Sequence, residues 1–169
     1  STWAQSGDLV CLRVDEHVPR NVVQHSSLVA KQLQGAQRHF SLFQGGIGRG
    51  FFTLNDMRLF HQHLQKMAQS VGGEIKDIAF CPHHPLAVTK ALRTPCRCRK
   101  PEPGLFFDLA DKWRLDLCQS VMIGDRCSDV EAGQRAGCHS YLFDGHDLNQ
   151  LARHIIATHF HPNRKKHEI

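Results

Sequence analysis

Cys81, His83, Cys96 and Cys98 are the residues of this sequence whose types and spacing most clearly belong together. A Cys-x-His pair and a Cys-x-Cys pair stand on either side of a twelve-residue segment. Three thiolates and one imidazole form a closed set of four donors. That is the tetrahedral set a structural zinc takes, with no position left open to water. The intervening segment contains Pro85 and Pro95 and has no apolar periodicity, so a bound metal would supply the order that it lacks. The alternatives are unligated loop thiols, or a redox pair at Cys96 and Cys98. His84 falls outside the spacing and reads as a surface residue or a support for the ligands.

Seven cysteines are an odd number, and three lie within eighteen residues, which suits metal in a reducing compartment better than a disulfide framework. Cys11, Cys118 and Cys138 lie in apolar or strand-like runs and are expected to be buried thiols. Cys127 falls in a loop. The 169 residues suffice for one core, and 41% hydrophobic and 22% charged residues are ordinary for a globular chain. The net charge of +5 rests largely on Arg97, Arg99, Lys100 and Arg164-Lys165-Lys166. It fits an anion site plus a solvated tail better than a nucleic-acid groove, so no nucleic-acid partner is expected. No apolar run is long enough to span a bilayer, and Ser1 to Gly7 carries no signal pattern. The expectation is a cytoplasmic protein without a membrane partner.

The elements that must position these residues alternate. Leu9 to Leu12 reads as a buried strand, followed by a helix from Ser26 or Ser27 to about Gln34. A strand over about Arg38 to Phe43 ends in the glycine-rich turn Gly45 to Gly50. Thr53 caps a helix whose apolar positions Met57, Phe60, Leu64, Met67 and Val71 step by three and four. A strand at Ile75 to Phe80 leads into the cysteine loop. Then come a helix from Gly104 to about Trp113, a strand at Val121 to Ile123, a helix at about Asp129 to Ala136, a strand at His139 to Phe143 and a helix at about Leu148 to Thr158. Alternation throughout predicts an α/β, doubly wound, Rossmann-like parallel sheet. One domain is expected over residues 1–158, with a zinc loop at 81–98 and a polar tail at 159–169.

The string Cys81-Pro-His-His-Pro85, followed by Cys96-Arg-Cys-Arg-Lys-Pro-Glu-Pro-Gly104, resembles the zinc-bearing haloacid dehalogenase-like (HAD-like) phosphatases. The nearest types are the heptose 1,7-bisphosphate and histidinol-phosphate phosphatases. Gln44-Gly-Gly-Ile-Gly-Arg-Gly50 and Gly124-Asp-Arg-Cys-Ser-Asp129 extend the likeness. The resemblance implies that Lys100 steadies the transferring phosphoryl group, that Gln44 and Arg99 contact the substrate and that Asp125 helps hold Mg²⁺, with Asp129 as the second acid of that motif. Arg49 and the amides of Gly45 to Gly48 could join Arg99 and Lys100 in holding an anion.

The sequence departs from the family at its first two motifs. An Asp-x-Asp pair is expected after the first strand, and Arg13-Val14-Asp15 stands there, so only the acid/base position, Asp15, survives. An arginine has no lone pair to attack phosphorus and puts a cation where Mg²⁺, held by Asp15 and Asp125, would sit. Leu42-Phe43-Gln44 replaces the hydroxyl and amide that follow strand two. The first reading is therefore an impaired phosphatase that keeps a zinc-stapled fold, with Arg13 paired to Asp15 or Asp125. It would serve to bind a phosphorylated small molecule or as a subunit, with Leu42 and Phe43 on a docking face. The alternative is an active Mg²⁺-dependent sugar-phosphate phosphatase, with Asp15 as nucleophile and His17 as acid/base.

Overall fold

Val121, Met122 and Ile123 send alternate side chains to opposite faces of one strand, and each face carries its own core. The computed structural model describes residues 10–12, 40–41, 45–70 and 75–159. Within them lie β1 (Val10–Leu12), β2 (Phe40–Ser41), the single turn α1 (Gly45–Gly48), α2 (Leu54–Ser70) and β3 (Ile78–Ala79). They are followed by α3 (Gly104–Trp113), β4 (Val121–Gly124), α4 (Cys127–Arg135), β5 (His139–Leu142) and α5 (Leu148–His159). All strand pairs are parallel: β1 joins β4 with Leu12 opposite Ile123, β4 joins β5, and β2 joins β3. β1, β4 and β5 form one ladder and β2 and β3 another, and β1 and β2 approach each other, so the two sheets lie side by side in the order 3-2-1-4-5, in keeping with a doubly wound arrangement.

Val121 and Ile123 pack with Leu64 and Ala68 of α2 and with Leu148, Ala152 and Ile155 of α5. Met122 faces the other way, onto Phe106 and Leu109 of α3, Ala132 of α4 and Ala136 at that helix's C-terminal cap. Full burial of side chains of this size is worth about 1.5–3 kcal/mol each, so β4 is the strand on which both layers depend. Thr53 caps α2 as expected: its Oγ1 accepts from Asp56 N at 3.1 Å, while Asp56 accepts from Thr53 N at 2.8 Å. Met57 and Leu64 are buried and Phe60 and Met67 half-buried, which bears out the apolar stripe. Val71 lies outside the described residues.

Several expectations need correction. Cys118 is exposed, because it sits in the 3₁₀ turn Leu117–Gln119, where Asp116 caps its amide and Leu117 packs toward the core instead. The helix after β4 begins at Cys127, so Cys127 is helical and Asp129 lies inside the first turn. The cap position is Arg126, and Asp129 reaches back to accept from the Arg126 amide at 3.1 Å. Gly45 to Gly48 close one helical turn before the glycine-rich bend. β3 is confined to Ile78–Ala79, since Asp77 turns to bond Trp113 and Lys112. β5 is not buried on both faces: His139 and Leu142 are exposed. The last helix runs through His159, whose ring stacks on His139 with centroids 4.0 Å apart. No helix of the described residues is long and apolar enough to cross a membrane.

Candidate metal and phosphate site

The four donors predicted from spacing do converge. The Sγ atoms of Cys81, Cys96 and Cys98 and a ring nitrogen of His83 all lie within 4.8 Å of one another. Cys81 Sγ is 3.5 Å from Cys96 Sγ and 3.5 Å from His83 Nδ1, and His83 Nδ1 is 3.4 Å from Cys98 Sγ. Cys98 and Cys81 stand 2.8 Å apart at sulfur, beyond the length of a disulfide. Cys81, Cys96, Cys98, Cys118, Cys127 and Cys138 are all free. The donor set fits a soft, four-coordinate ion. Burial pushes the Cys81 thiol well above its ordinary range, with the neighbouring thiols adding to it. Burial also raises Cys98. It opposes ionisation at Cys96 too, but hydrogen bonds from Cys98 and Cys81 outweigh it there and bring that thiol down. Three crowded thiols that resist sharing negative charge are the arrangement a divalent cation relieves.

The loop carrying these ligands is fastened to the glycine turn. Val88 N donates to Gly48 O at 2.7 Å, and His84 N donates to Leu92 O at 3.0 Å. Arg93 donates through Nε to Ala87 O. Gly48 is required by the approach: a Cβ there would stand 2.5 Å from Pro82 O. Beyond Cys98 the chain turns through Arg99, Lys100 and a cis Lys100–Pro101 bond into α3. Arg99 Nη1 donates to His83 O at 3.1 Å, which ties it to the metal loop.

Lys100 and Asp129 meet at the carboxyl end of β4. Nζ of Lys100 donates to Asp129 Oδ1, with the two side chains 5% and 0% exposed. Asp125 is exposed just beyond the strand and presents a hard oxygen donor of the kind Mg²⁺ takes. Gly124 lets the strand end this close: a Cβ on it would stand 2.2 Å from Asp129 Cβ.

Of the predicted residues, Cys81, His83, Cys96 and Cys98 come together, Arg99 leans on their loop, and Lys100 joins Asp129, which packs against Gly124. Arg49 is exposed, with Cζ 4.3 Å from the centre of the Phe51 ring. Arg13, Asp15, His17, Leu42, Phe43 and Gln44 lie outside the described residues. Sequence reasoning missed the clamp at Asp77, which accepts from Lys112 Nζ at 2.7 Å and Trp113 Nε1 at 2.9 Å. Its partners are more than thirty residues away, and no local pattern marks them.

Comparison with known proteins bears on the same segments. A family profile described as HAD-hydrolase-like matches residues 97–159. Over 113 residues the chain is 38% identical to the D-glycero-beta-D-manno-heptose-1,7-bisphosphate 7-phosphatase of Rhodopseudomonas palustris, covering 67% of this chain and 63% of that protein. It is 36% identical over 117 residues to the D-glycero-alpha-D-manno-heptose-1,7-bisphosphate 7-phosphatase of Photorhabdus laumondii, covering 68% and 64%. The chain thus spans less than two thirds of the length of these relatives. The solved D,D-heptose 1,7-bisphosphate phosphatase of B. bronchiseptica, complexed with magnesium and phosphate, superimposes with a TM-score of 0.71 at 22% identity, covering 89% of this chain and 99% of that one. That likeness concerns the fold. The named relatives are phosphatases, which favours the active alternative over the impaired reading.

Proposed function

The chain belongs to the HAD-like hydrolases, as a relative of the heptose bisphosphate phosphatases, and we propose that it is a Mg²⁺-dependent phosphomonoester hydrolase acting on a phosphorylated sugar. The observation that carries this reading is the buried Lys100–Asp129 pair against Gly124, the last residue of β4. Burying a charged pair costs free energy that only good geometry and further hydrogen bonds offset, and here the pair packs against Gly124, the residue before Asp125, a carboxylate able to hold a metal.

In this reading the Cys81, His83, Cys96 and Cys98 set holds a structural zinc that keeps the loop folded. Asp125 and Asp15 hold Mg²⁺, which when bound withdraws negative charge from the phosphoryl oxygens. Asp15 is the nucleophile: its carboxylate attacks phosphorus while His17 gives a proton to the departing sugar oxygen. Water then attacks the phosphoaspartate, His17 accepts its proton, and inorganic phosphate and the free carboxylate are released. Lys100 and Arg99 orient the phosphate through fixed charge.

A second reading, a protein that binds phosphate esters without turning them over, is favoured by one observation. β1 ends at Leu12, opposite Ile123, and the next residue in the chain is Arg13, where the family places its nucleophile. A pair of variants separates the two, assayed for phosphate release with Mg²⁺. If the chain is an enzyme through Asp15, Asp15→Asn abolishes release and Arg13→Asp is not needed for it. If it is impaired, the unaltered chain releases nothing and Arg13→Asp restores turnover.

A further inference from the structure

We propose that Phe51, Leu86 and Val88, flanked by Arg49, Lys90 and Arg93, form a face that seats the chain on an anionic lipid surface. Leu86 and Val88 are 76% and 69% exposed, the highest values among the exposed large apolar side chains of the described residues, and Phe51 is 55% exposed. The fold brings the glycine bend and the metal loop together here. Val88 N donates to Gly48 O at 2.7 Å, and Val88 Cγ2 lies 3.1 Å from the point where a Cβ on Gly50, the residue before Phe51, would stand. Ala87 is wholly buried and anchors the loop, while its neighbours on both sides stay in solvent.

The charge around these side chains has one sign. Arg49 Cζ lies 4.3 Å from the centre of the Phe51 ring. Arg93 donates through Nε to Ala87 O and through Nη2 to Val88 O, which holds its guanidinium beside the apolar tip. Lys90 is exposed two residues beyond Val88. Neither residues 44–55 nor residues 78–101 include an Asp or Glu. Large apolar side chains left in solvent mark a contact surface. Side chains exposed by two thirds or more stand on a convex tip, where a docked peptide would find no groove. A bilayer interface takes up such tips and pairs the flanking cations with lipid phosphates. A second copy of the same face would oppose like charges, and a sugar phosphate has no use for three apolar side chains. The expectation of no membrane partner rested on the length of apolar runs, whereas this face is assembled from two separate segments. It lies on a membrane and does not span one, and no helix of the described residues is long and apolar enough to cross.

Co-sedimentation of the zinc-loaded full chain with vesicles tests this, with equal parts phosphatidylglycerol and phosphatidylcholine set against phosphatidylcholine alone. The unaltered chain is expected to bind the anionic vesicles, to leave them as salt rises, and to ignore the neutral ones. Leu86→Ser combined with Val88→Ser should raise the lipid concentration for half-binding by about tenfold or more, with zinc content and melting temperature unchanged. Should that pair lose zinc, Arg49→Gln with Lys90→Gln leaves the apolar tip and the loop's own bonds intact, and should weaken anionic binding by a similar factor. No binding of the unaltered chain to anionic vesicles would overturn the proposal. So would binding that survives both pairs and disappears when Arg164, Lys165 and Lys166 are changed to Gln, since the basic tail would then be the anchor. Uptake of an acidic peptide of alternating Glu and Leu in place of vesicles, lost in Leu86→Ser with Val88→Ser, would give the face to a protein partner and overturn the bilayer reading. Phosphate release plays no part in these readouts, so the proposal stands or falls apart from the phosphatase reading.

Discussion

Lys100 Nζ donates to Asp129 Oδ1 across 29 residues of sequence, with both side chains almost wholly withdrawn from solvent. Asp129 accepts in the same geometry from the Arg126 amide and so closes the first turn of α4. One carboxylate thus joins the segment leaving the metal loop to the helix that follows β4, and the Lys100 cation cannot move without disturbing that helix.

Removing the cation leaves Asp129 charged and buried. Lys100→Met is expected to cost about 3–5 kcal/mol of folding free energy, read from urea denaturation. Asp129→Asn keeps an acceptor for the Arg126 amide. Added to Lys100→Met, it should recover part of the loss, a coupling that independent sites would not show.

Gly124 is required by steric approach. Its missing Cβ would stand 2.2 Å from Asp129 Cβ, and Asp129 is too enclosed to retreat. Gly124→Ala should therefore destabilise by about 1–3 kcal/mol, in line with overpacking at other enclosed sites. Thermal melting checks this; an unchanged melting temperature would show that Asp129 gives way.

The Cys and His loop is expected to hold one zinc per chain, counted by elemental analysis. Metal in small zinc modules contributes about 10–16 kcal/mol apparent. Chelation or Cys98→Ser should thus lower stability by several kcal/mol and open residues 81–98 to proteolysis first. Protection of that segment after complete metal removal would refute a structural role.

Acid should lower the stability of the protein in two stages. Burial holds His61 below its ordinary 6.5. Burial tends to raise Asp77, but its bonds from Lys112, Trp113 and Ile78 bring it below 3.8. Both folded values are depressed, so each contributes stability that is fully present above the unfolded value and lost as pH falls: His61 from about 6.5 downward and Asp77 from about 3.8 downward. His61→Leu should remove the upper stage and Asp77→Asn the lower one in melting curves taken between pH 7 and pH 3. Asp77→Asn should also cost about 1–2 kcal/mol at neutral pH through the weakened bonds to Lys112 and Trp113.

The sequence made the local features legible. The Cys and His spacing named all four converging donors, the steps from Met57 to Leu64 found the buried stripe of α2, and Thr53 and Gly104 marked helix starts. What it did not reveal depends on contacts between distant segments. Asp129 reads in the sequence only as the second acid of a motif, and its pairing requires Lys100, brought in from another element. Cys118 looked apolar by its neighbours, but the 3₁₀ turn Leu117–Gln119 decides which side chain faces inward. His84 broke the ligand spacing and drew no weight; only the fold of the loop places its ring against Gly45.

The account depends most on phosphate chemistry at the end of β4. The most direct test is phosphate release from a heptose 1,7-bisphosphate by the zinc-loaded chain, measured against Mg²⁺ concentration beside Asp15→Asn. Release that rises with Mg²⁺ and disappears in Asp15→Asn is the predicted result. A folded, zinc-loaded chain that releases no phosphate at any Mg²⁺ concentration, or one whose release survives Asp15→Asn, would contradict it.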